Sequence, residues 1–389
     1  VTARYDLAAS QLAKAIKERG DPLLEIQLVQ MAGNYLRDDL PDHMQRAAYI
    51  LHIGDGVDAT FHIDLWLPFI QNVDPSCLLV IRSKRLFMLL RKTRPELNAV
   101  YIKSGIEAEW IVQSSPNLVG VLYVSNTGST VHFLRFNQLT HIWLGHGDSE
   151  KAASCHKFFR AYDEVWCAGR AQIDRFRNSD MNHASTYFRV VGRPTLRNLI
   201  VQSDAYEETH RFIYLPTWEG FQSEQGYSSI QDSPAFLPKV AEMTGSVAMV
   251  KFHPWAGKRI ASYGNIEALL SQLPAGRKHG IDVLERTLPV VDLMAQTDFL
   301  IADISSVVSD YLAVGKPIFL FIPSGRPLRI TSSSIPFGDY CYIFSSHAEL
   351  TALVQRVIVE KDDFLAENRE SARTYSVDIK RTKANAFEA

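Results

Sequence analysis

The sequence has few cysteines, no excess of charge of either sign and no long apolar run. Its four cysteines, Cys77, Cys155, Cys167 and Cys341, are scattered without a CxxC pair among 389 residues. This spacing argues against a zinc site or a disulfide framework and favours reduced thiols in a cytoplasmic protein. The formal net charge of -2 gives no global field that would attract nucleic acid. No apolar run approaches the ~20 residues of a membrane-spanning helix, and no signal peptide is recognised at the start.

The sequence instead has the length and the alternation of two α/β domains. Its 389 residues, 46% hydrophobic and 22% charged, are ordinary for a soluble globular protein. Short apolar runs alternate with helix-spaced segments from residue 47 to 191 and again from residue 212 to 321, which is typical of parallel sheets. We therefore predict an α/β, GT-B-like fold, in which two Rossmann-like domains have parallel sheets that face each other across a cleft. The first domain is predicted over 1–195, with a helical lead-in over 1–45, and the second over 196–389, ending in a helix.

One stretch, residues 299–321, combines a buried strand, a polar turn, a helix and a second strand. Asp303 follows the first apolar run, and Ser305 and Ser306 open the helical segment. In open α/β sheets, ligands bind at the carboxyl ends of the strands, and a helix start with two hydroxyls suits a phosphate. The alternative is that Ser305 and Ser306 only cap the helix.

Three other predicted strands also end in polar residues. His146 lies between two glycines after the apolar run that begins at His141, and its imidazole could accept a proton near neutral pH. Thr217 belongs to a turn that follows another apolar run, and Lys251 and His253 alternate at the end of a third. Each of these residues has an alternative interpretation, as a turn or core residue that takes no part in binding or catalysis. Four polar strand ends in two tandem α/β domains are nevertheless expected to converge on one cleft.

These motifs together resemble the CDP-glycerol glycerophosphotransferases, the family of teichoic-acid polymerases and primases. The matching segments, in order, are His146-Gly147 with Lys151, Gly192-Arg193-Pro194, Pro216-Thr217-Trp218, Lys251-Phe252-His253-Pro254, Asp303-Ile304-Ser305-Ser306, Asp310-Tyr311 and Lys316-Pro317-Ile318. Order and spacing agree from about residue 140 to residue 321, whereas the first 130 residues share only the alternating pattern. Three positions depart from the family pattern: Ile304 replaces a tyrosine, Gly145 a tryptophan and Glu219 an arginine.

The resemblance implies a transfer of polyol phosphate from a CDP-activated donor, such as CDP-glycerol, to a hydroxyl of a surface polymer or lipid-linked acceptor, with release of CMP. It implies His146 as general base and His253 as a second catalytic residue. The implied donor- and phosphate-binding residues are Gly147, Arg193, Thr217, Lys251, Asp303, Ser305, Ser306 and Asp310. Glu150 and Lys151 are assigned to the acceptor side. Asp303 has the alternative role of orienting a loop through backbone N–H groups, and Asp310 that of a helix-surface acid. No metal and no cofactor beyond the activated donor are predicted.

Two other functions remain open at this point. A GT-B glycosyltransferase that uses a nucleotide sugar would have the same fold, and so would a binding protein without activity. The basic segment 82–94 also has two interpretations: a helix that docks peripherally on the inner face of the cell membrane, or a Rossmann helix that buries its apolar stripe on the sheet. A cytoplasmic location and no nucleic-acid partner are expected.

Overall fold

The computed structural model describes residues 14, 42–57, 60–145, 147–151, 154–179, 182–204, 208–219, 227–273, 279–325, 330–331 and 333–384. Most of the helical lead-in predicted over 1–45 lies outside these residues. The strands are β1 (Tyr49–Ile53), β2 (Leu78–Ile81), β3 (Ala99–Tyr101), β4 (Gly120–Tyr123), β5 (Thr140–Trp143), β6 (Glu164–Cys167), β7 (Tyr187–Val190), β8 (Arg211–Leu215), β9 (Val247–Val250), β10 (Ile281–Val283), β11 (Phe299–Asp303), β12 (Ile318–Phe321) and β13 (Tyr342–Phe344).

The helices alternate with these strands, as the sequence predicts. They are α1 (Asp42–Gln45), α2 (Thr60–Val73), α3 (Lys84–Thr93), α4 (Gly105–Ser114), α5 (Val131–Leu134), α6 (Arg170–Asn178), α7 (Arg197–Asp204), α8 (Ser233–Thr244), α9 (Ala261–Leu270), α10 (Val290–Met294), α11 (Ser306–Tyr311), α12 (Phe337–Tyr340), α13 (His347–Val354), α14 (Ala366–Val377) and α15 (Ile379–Ala384). Among the described residues, no helix is both long enough and apolar enough to cross a membrane.

The chain divides into two compact units. The first comprises Val1–Ala59 with Asp74–His141, and the second comprises Thr60–Val73 with Ile142–Ala389. These units reflect how densely the chain packs and are not the two domains predicted from the sequence. The domain boundary near residue 195 therefore stays a prediction.

The first unit contains four parallel strands in the order β3-β2-β1-β4. All of β2 and β4 is buried, which is what continuous apolar runs in a parallel sheet require. Two serines start the following helices, because the hydroxyls of Ser83 and Ser104 accept hydrogen bonds from the backbone N–H groups of Leu86 and Glu107. The chain forms β1, β2 and β3 on one side and then returns to place β4 on the other side of β1, so the strand order reverses between β1 and β4.

The second unit contains a short parallel series and a six-stranded parallel sheet. Ile142 and Trp143 of β5 pair with β6, and β6 pairs with β7. The six-stranded sheet has the order β10-β9-β8-β11-β12-β13, and all its pairs are parallel. The predicted α/β fold with parallel sheets is confirmed. The sequence did not predict β10 or β13, which have only three residues each.

Both faces of the six-stranded sheet are buried. Alternate residues of β11 contribute to different cores: Leu300 packs into one cluster and Phe299 and Ile301 into the other. The Phe299 ring stacks on Phe212 of the neighbouring strand, with ring centroids 4.7 Å apart. The strand order reverses between β8 and β11, and such a reversal is where open α/β sheets bind ligands, at the carboxyl ends of the strands. Thr217 and Asp303 lie at that point.

Candidate functional site

The described site residues all belong to the second unit. They follow β5, β7, β8, β9 and β11 or lie on helix α11. His146, the predicted general base, lies outside the described residues, so its role stays a prediction. The preceding Gly145 is described: it has a positive φ of 70°, and its carbonyl accepts a hydrogen bond of 2.6 Å from the indole Nε1–H of Trp66. Helix α2 therefore contacts the residue that precedes His146 in the sequence.

Asp303 holds two loops together at the reversal of strand order. Its side chain is completely buried, and its two carboxylate oxygens accept hydrogen bonds from the backbone N–H groups of Thr217, at 2.7 Å, and Ser229, at 3.0 Å. Burial raises the pKa of Asp303 to about 7, against the lowering effect of these hydrogen bonds and of the Lys151 ammonium. This geometry is the loop-orienting alternative considered for Asp303; a direct contact with the donor stays a prediction.

Lys151 extends from the loop after β5 to the turn after β8. Its Nζ donates a hydrogen bond of 3.0 Å to the hydroxyl of Thr217. Burial lowers the pKa of Lys151 to about 8, while nearby Asp303 favours the charged form. The backbone around Lys151 is fixed by a bridge to Ile330 and by a 2.7 Å hydrogen bond from the Thr331 N–H to the Glu150 carbonyl. Two sequence motifs 66 positions apart therefore meet at one hydrogen bond.

His253 is a neutral hydrogen-bond donor at the end of β9. Its Nδ1 accepts a 3.1 Å hydrogen bond from the backbone N–H of Trp255, so the ring proton is on Nε2. Burial, together with the smaller effects of the cations Lys151, Lys251 and Arg286 and against the opposing effect of Glu219, lowers the pKa of His253 to about 4. The ring stacks against Trp218, with centroids 6.0 Å apart.

Lys251 lies two residues before His253 on the same strand end. Its ammonium is half-buried, and burial together with Arg286 lowers its pKa. Lys151, Lys251 and Arg286 all influence His253 electrostatically. Three cationic hydrogen-bond donors and the neutral Nε2–H donor of His253 therefore lie in the same region. An anion bound there would gain hydrogen bonds that are stronger than neutral ones.

Gly147 and Ser306 approach each other closely. A Cβ atom on Gly147 would lie 2.7 Å from the Cβ of Ser306 and 2.8 Å from its hydroxyl, so only glycine fits here without a shift. The hydroxyl of Ser305 donates to the carbonyl of Asp303 at 3.2 Å. The structure thus places the glycine of the β5 loop against the start of α11. The predicted phosphate contacts of Gly147, Ser305 and Ser306 stay predictions.

Arg193 and Asp310 pair with each other. The guanidinium Nη2 lies 3.2 Å from a carboxylate oxygen of Asp310, and both side chains are largely buried. Burial raises the pKa of Asp310, and Arg193 opposes this rise. The backbone N–H of Arg193 donates to the hydroxyl of Thr382 at 2.9 Å, and a Cβ on Gly192 would lie 2.6 Å from the Thr382 nitrogen. The pair therefore joins the 192–194 turn, α11 and α15; donor binding by Arg193 or Asp310 stays a prediction.

Glu150 belongs to a buried charge cluster with Asp148 and Arg175, which we call the β5-loop triad. Arg175, on α6, forms an ion pair with Asp148 and lies 3.9 Å from a carboxylate oxygen of Glu150. All three side chains are at most 4% exposed. The triad fixes the segment between Gly147 and Lys151. Glu150 is thus held next to the site by Arg175, and its predicted contact with the acceptor stays a prediction.

Three residues that organise the site were not recognised from the sequence. Glu219 accepts backbone hydrogen bonds from Gly257, Arg259 and Ile260 at 2.7–3.1 Å. Although burial raises its pKa, these hydrogen bonds leave the pKa of Glu219 lowered overall. Arg286 donates to the carbonyls of Pro254 and Ala256, and Arg175 anchors the β5 loop. The partners named here are 25 to 41 positions away, from Glu150 and Arg175 to Glu219 and Ile260, a distance at which no local pattern could reveal them.

The fold and the polar edge of the second sheet define a GT-B-like α/β protein. The wall teichoic acid polymerase TagF aligns with 15% sequence identity and a TM-score of 0.57 over 93% of each chain. A candidate UDP-N-acetylglucosamine 2-epimerase from Listeria monocytogenes aligns with 11% identity and a TM-score of 0.54 over 87% of this chain and 94% of that one. Anabaena HepE, solved with UDP and glucose, aligns with 12% identity and a TM-score of 0.51 over 88% of this chain and 99% of that one. These likenesses confirm the predicted fold class.

A more specific match comes from the sequence itself. Residues 195–370 match the model of the family described as CDP-glycerol:poly(glycerophosphate) glycerophosphotransferase. A search of curated protein sequences finds no match. The predicted resemblance to this family of transferases is confirmed over the matched segment, which contains Thr217, Lys251, His253, Asp303 and the two serines.

Proposed function

We propose that the protein transfers a polyol phosphate from a CDP-activated donor, such as CDP-glycerol, to a hydroxyl of a polymer or lipid-linked acceptor. The observation that carries this proposal is the convergence of Lys151, Thr217, His253 and Asp303 where the strand order reverses between β8 and β11. The family match over residues 195–370 supports the choice of a CDP-activated donor for that region.

The proposed reaction forms one phosphodiester bond and breaks one pyrophosphate bond. The acceptor oxygen attacks the phosphorus that carries the polyol, the bond from that phosphorus to the CMP oxygen breaks, and CMP leaves. His146 is proposed to take the proton of the attacking hydroxyl. Catalysis of phosphoryl transfer depends mainly on donors placed where charge develops on the phosphate oxygens. Lys251 and the Nε2–H of His253 are the proposed hydrogen-bond donors to these oxygens. Lys151 is proposed as a third, in place of the acceptor-side role that the sequence resemblance implies, because its Nζ reaches the Thr217 turn.

CMP release from CDP-glycerol and CDP-ribitol, with a glycerol-phosphate oligomer as acceptor, tests this function. We expect CMP to be released in an acceptor-dependent reaction and the oligomer to gain one polyol phosphate by mass. The same assay with UDP- and CMP-sugars distinguishes the glycosyltransferase alternative. Transfer of a sugar, with no polyol phosphate transferred from either CDP-polyol, would overturn the proposal.

A pH effect is expected from Lys151. Because its pKa is lowered to about 8, its ammonium loses a proton as the pH rises above this value, and one donor to the anionic phosphate loses its charge. We therefore expect kcat/KM for the donor to fall above pH 8. In Lys151→Arg the guanidinium keeps its charge throughout this range, so the fall should move to higher pH. The measurement is a pH–rate profile under subsaturating donor, because kcat/KM reports the pKa values of the free enzyme.

Lys157→Arg is the matched control, because Lys157 is exposed in the same part of the chain. Its profile should equal that of the unchanged protein. An alkaline fall at the same pH in Lys151→Arg would show that another group causes it.

We also propose peripheral contact with an anionic membrane through helix α3. Leu86, Phe87 and Leu90 are buried as a Rossmann helix requires, but Met88 and Leu89 are 47% and 39% exposed. Exposed basic residues surround them: Lys84, Arg85, Arg91 and Lys92. Each Lys or Arg near an anionic surface contributes about 1 kcal/mol, and two apolar side chains add a weak anchor. Helix α3 thus buries three apolar side chains, as a Rossmann helix does, and also exposes two apolar side chains among basic ones, as a membrane-docking helix does.

Flotation with phosphatidylcholine vesicles, with and without phosphatidylglycerol, tests this contact. We expect the protein to float only with anionic vesicles and the double substitution Met88→Glu with Leu89→Glu to abolish flotation. The control is Leu269→Glu on helix α9, where an apolar residue is 46% exposed. Equal flotation of the double variant and the control would contradict docking through α3.

A further inference from the structure

A second polar edge lies in the first unit, at the carboxyl ends of β1 and β4. The strand order reverses between these two strands, which is the position where open α/β sheets take up ligands. Gly54 follows β1 and Thr127 follows β4, and the two loops touch: a Cβ on Gly54 would lie 2.0 Å from the Thr127 hydroxyl. None of the residues assigned to the proposed reaction belongs to this edge.

A buried histidine lies on one of these two strands. His52, on β1, is completely buried, and neither of its ring nitrogens has a hydrogen-bond partner within the described part of the chain. Tyr123 and Phe133 flank it, with ring centroids 5.5 and 5.7 Å away. Leaving a buried polar group unsatisfied costs about 1–3 kcal/mol, so the buried imidazole of His52 calls for an explanation such as a bound water, an ion or a ligand nearby.

Arg82 and His132 supply hydrogen-bond donors next to His52. Arg82 follows β2, and its Nη2 donates to the Lys103 carbonyl at 2.9 Å and to Nδ1 of His132. Because Nδ1 of His132 accepts, its other nitrogen carries the proton and can donate. The second amino group of Arg82, Nη1, is buried and has no partner among the described residues. A guanidinium beside an imidazole N–H suits a phosphate oxygen.

Asp55 adds a carboxylate to this edge, next to the hydrogen-bond donors Arg82 and His132. Its carboxylate accepts a hydrogen bond from the Ser125 hydroxyl, and Asp55, Arg82 and His132 are the charged or titratable groups that act on His52. A carboxylate repels an isolated anion, but it accepts hydrogen bonds from alcohols. The groups present therefore favour a ligand that has both a phosphate and a hydroxyl.

We propose that this edge binds a hydroxyl-bearing phosphate ester, with the phosphate on Arg82 and His132 and a neighbouring hydroxyl on Asp55. The terminal polyol phosphate of the acceptor has this chemistry, an assignment that rests on the proposed function. The site would then select acceptors that already end in a polyol phosphate over bare alcohols.

Calorimetric titration with sn-glycerol 3-phosphate, inorganic phosphate and glycerol tests the site without any reaction. We expect glycerol 3-phosphate to bind more tightly than either of the other two. Arg82→Gln and His132→Gln should each weaken it about 10-fold, the effect of losing one hydrogen bond to a charged group. Asp55→Asn should reduce the preference for glycerol 3-phosphate over inorganic phosphate. Arg177→Gln, at a side chain that is 59% exposed, should leave binding unchanged.

A second control separates this site from the polar edge of the second unit, which also suits phosphate. The titration is therefore repeated with His253→Asn, in which the second edge has lost one phosphate donor, and His132→Gln added to this variant should still weaken glycerol 3-phosphate about 10-fold. If Arg82→Gln does not fold, His132→Gln decides, because His132 is half-buried at the surface. Unchanged affinity in His132→Gln, or loss of affinity in His253→Asn alone, would overturn the site.

Kinetics distinguish the failure of this site from the failure of the proposed function. Arg82→Gln should raise KM for a glycerol-phosphate oligomer about 10-fold and leave KM for the CDP-polyol unchanged. If phosphate-ester binding depends on Arg82 and His132 but no CDP-polyol releases CMP, the binding site stands and the proposed function fails. If CMP is released and KM for the acceptor is unaffected in Arg82→Gln and in His132→Gln, the proposed function stands and this site fails.

Discussion

Replacing Arg175 with methionine is expected to lower the free energy of unfolding by about 3–5 kcal/mol, the usual cost of removing one partner from a buried ion pair. The Arg175 side chain is 3% exposed and forms an ion pair with Asp148. Burial lowers the pKa of Arg175 to about 10, so the guanidinium is still charged at neutral pH. Without it, the buried carboxylate of Asp148 would lose its ion-pair partner, whereas burial already raises the pKa of Glu150 to about 7, so Glu150 can take up a proton instead. Urea denaturation followed by circular dichroism measures the change.

The control for this prediction lies two positions along the same helix. The Arg177 side chain is 59% exposed, and Arg177→Met should change stability by less than about 0.5 kcal/mol. Replacing all three members of the β5-loop triad with apolar residues of similar size should recover much of the loss, since buried ion pairs are often no more stable than apolar replacements. If Arg175→Met lowers the free energy of unfolding by less than about 1 kcal/mol, and not by the 3–5 kcal/mol expected for a buried pair, the triad is hydrated or rearranges.

The largest effect on activity is expected for His253. In His253→Asn the amide oxygen can replace Nδ1 as acceptor of the Trp255 N–H, but nothing replaces the Nε2–H donor. We expect kcat to fall about 100- to 1,000-fold, which is typical for loss of one donor that stabilises transition-state charge. His253→Gln, whose amide can reach the position of Nε2, should retain more activity than His253→Asn. Single-turnover measurement of CMP release gives the rate.

The stability of these variants and a surface histidine provide the controls. His347 is exposed at the start of α13, and His347→Asn should keep the full rate. Equal rates for His253→Asn and the unchanged protein, at saturating donor, would exclude His253 from the chemistry. An equal fall in His253→Asn and His253→Gln would instead indicate that the imidazole is required as a proton carrier.

The central element of the second sheet could be predicted because its signals are local. The segment from β11 through α11 to β12 has an apolar strand, two serines, a helix, a 3-10 turn (Leu312–Val314) that ends at Gly315 in the left-handed conformation, and a second apolar strand. These features depend on neighbours a few positions away, and the structure has them where the sequence predicts. Three residues give only a weak periodic signal, and of the three strands of this length β3 was predicted but β10 and β13 were not.

The site could be predicted only as a set of separate candidates. Thr217 and Lys251 were recognised because each follows an apolar strand, a feature visible in the sequence. The sequence could not show which of them contact each other. The Asp303 carboxylate accepts a hydrogen bond from the N–H of Thr217, 86 positions away, and Asp310 pairs with Arg193, 117 positions away. Glu219 appeared only as a departure from the family pattern. Its role in holding the 257–260 turn required the structure.

The contact between Arg193 and Thr382 sets a limit on the order of events during protein synthesis. The two residues are 189 positions apart, so at 5–20 residues per second a ribosome adds Thr382 about 10–40 s after Arg193. Until then the Gly192–Arg193 turn lacks the backbone and hydroxyl of Thr382, against which it packs in the native state. This part of the second unit can therefore be completed only late in translation, and a nascent chain that pauses in between exposes the turn to chaperones and proteases.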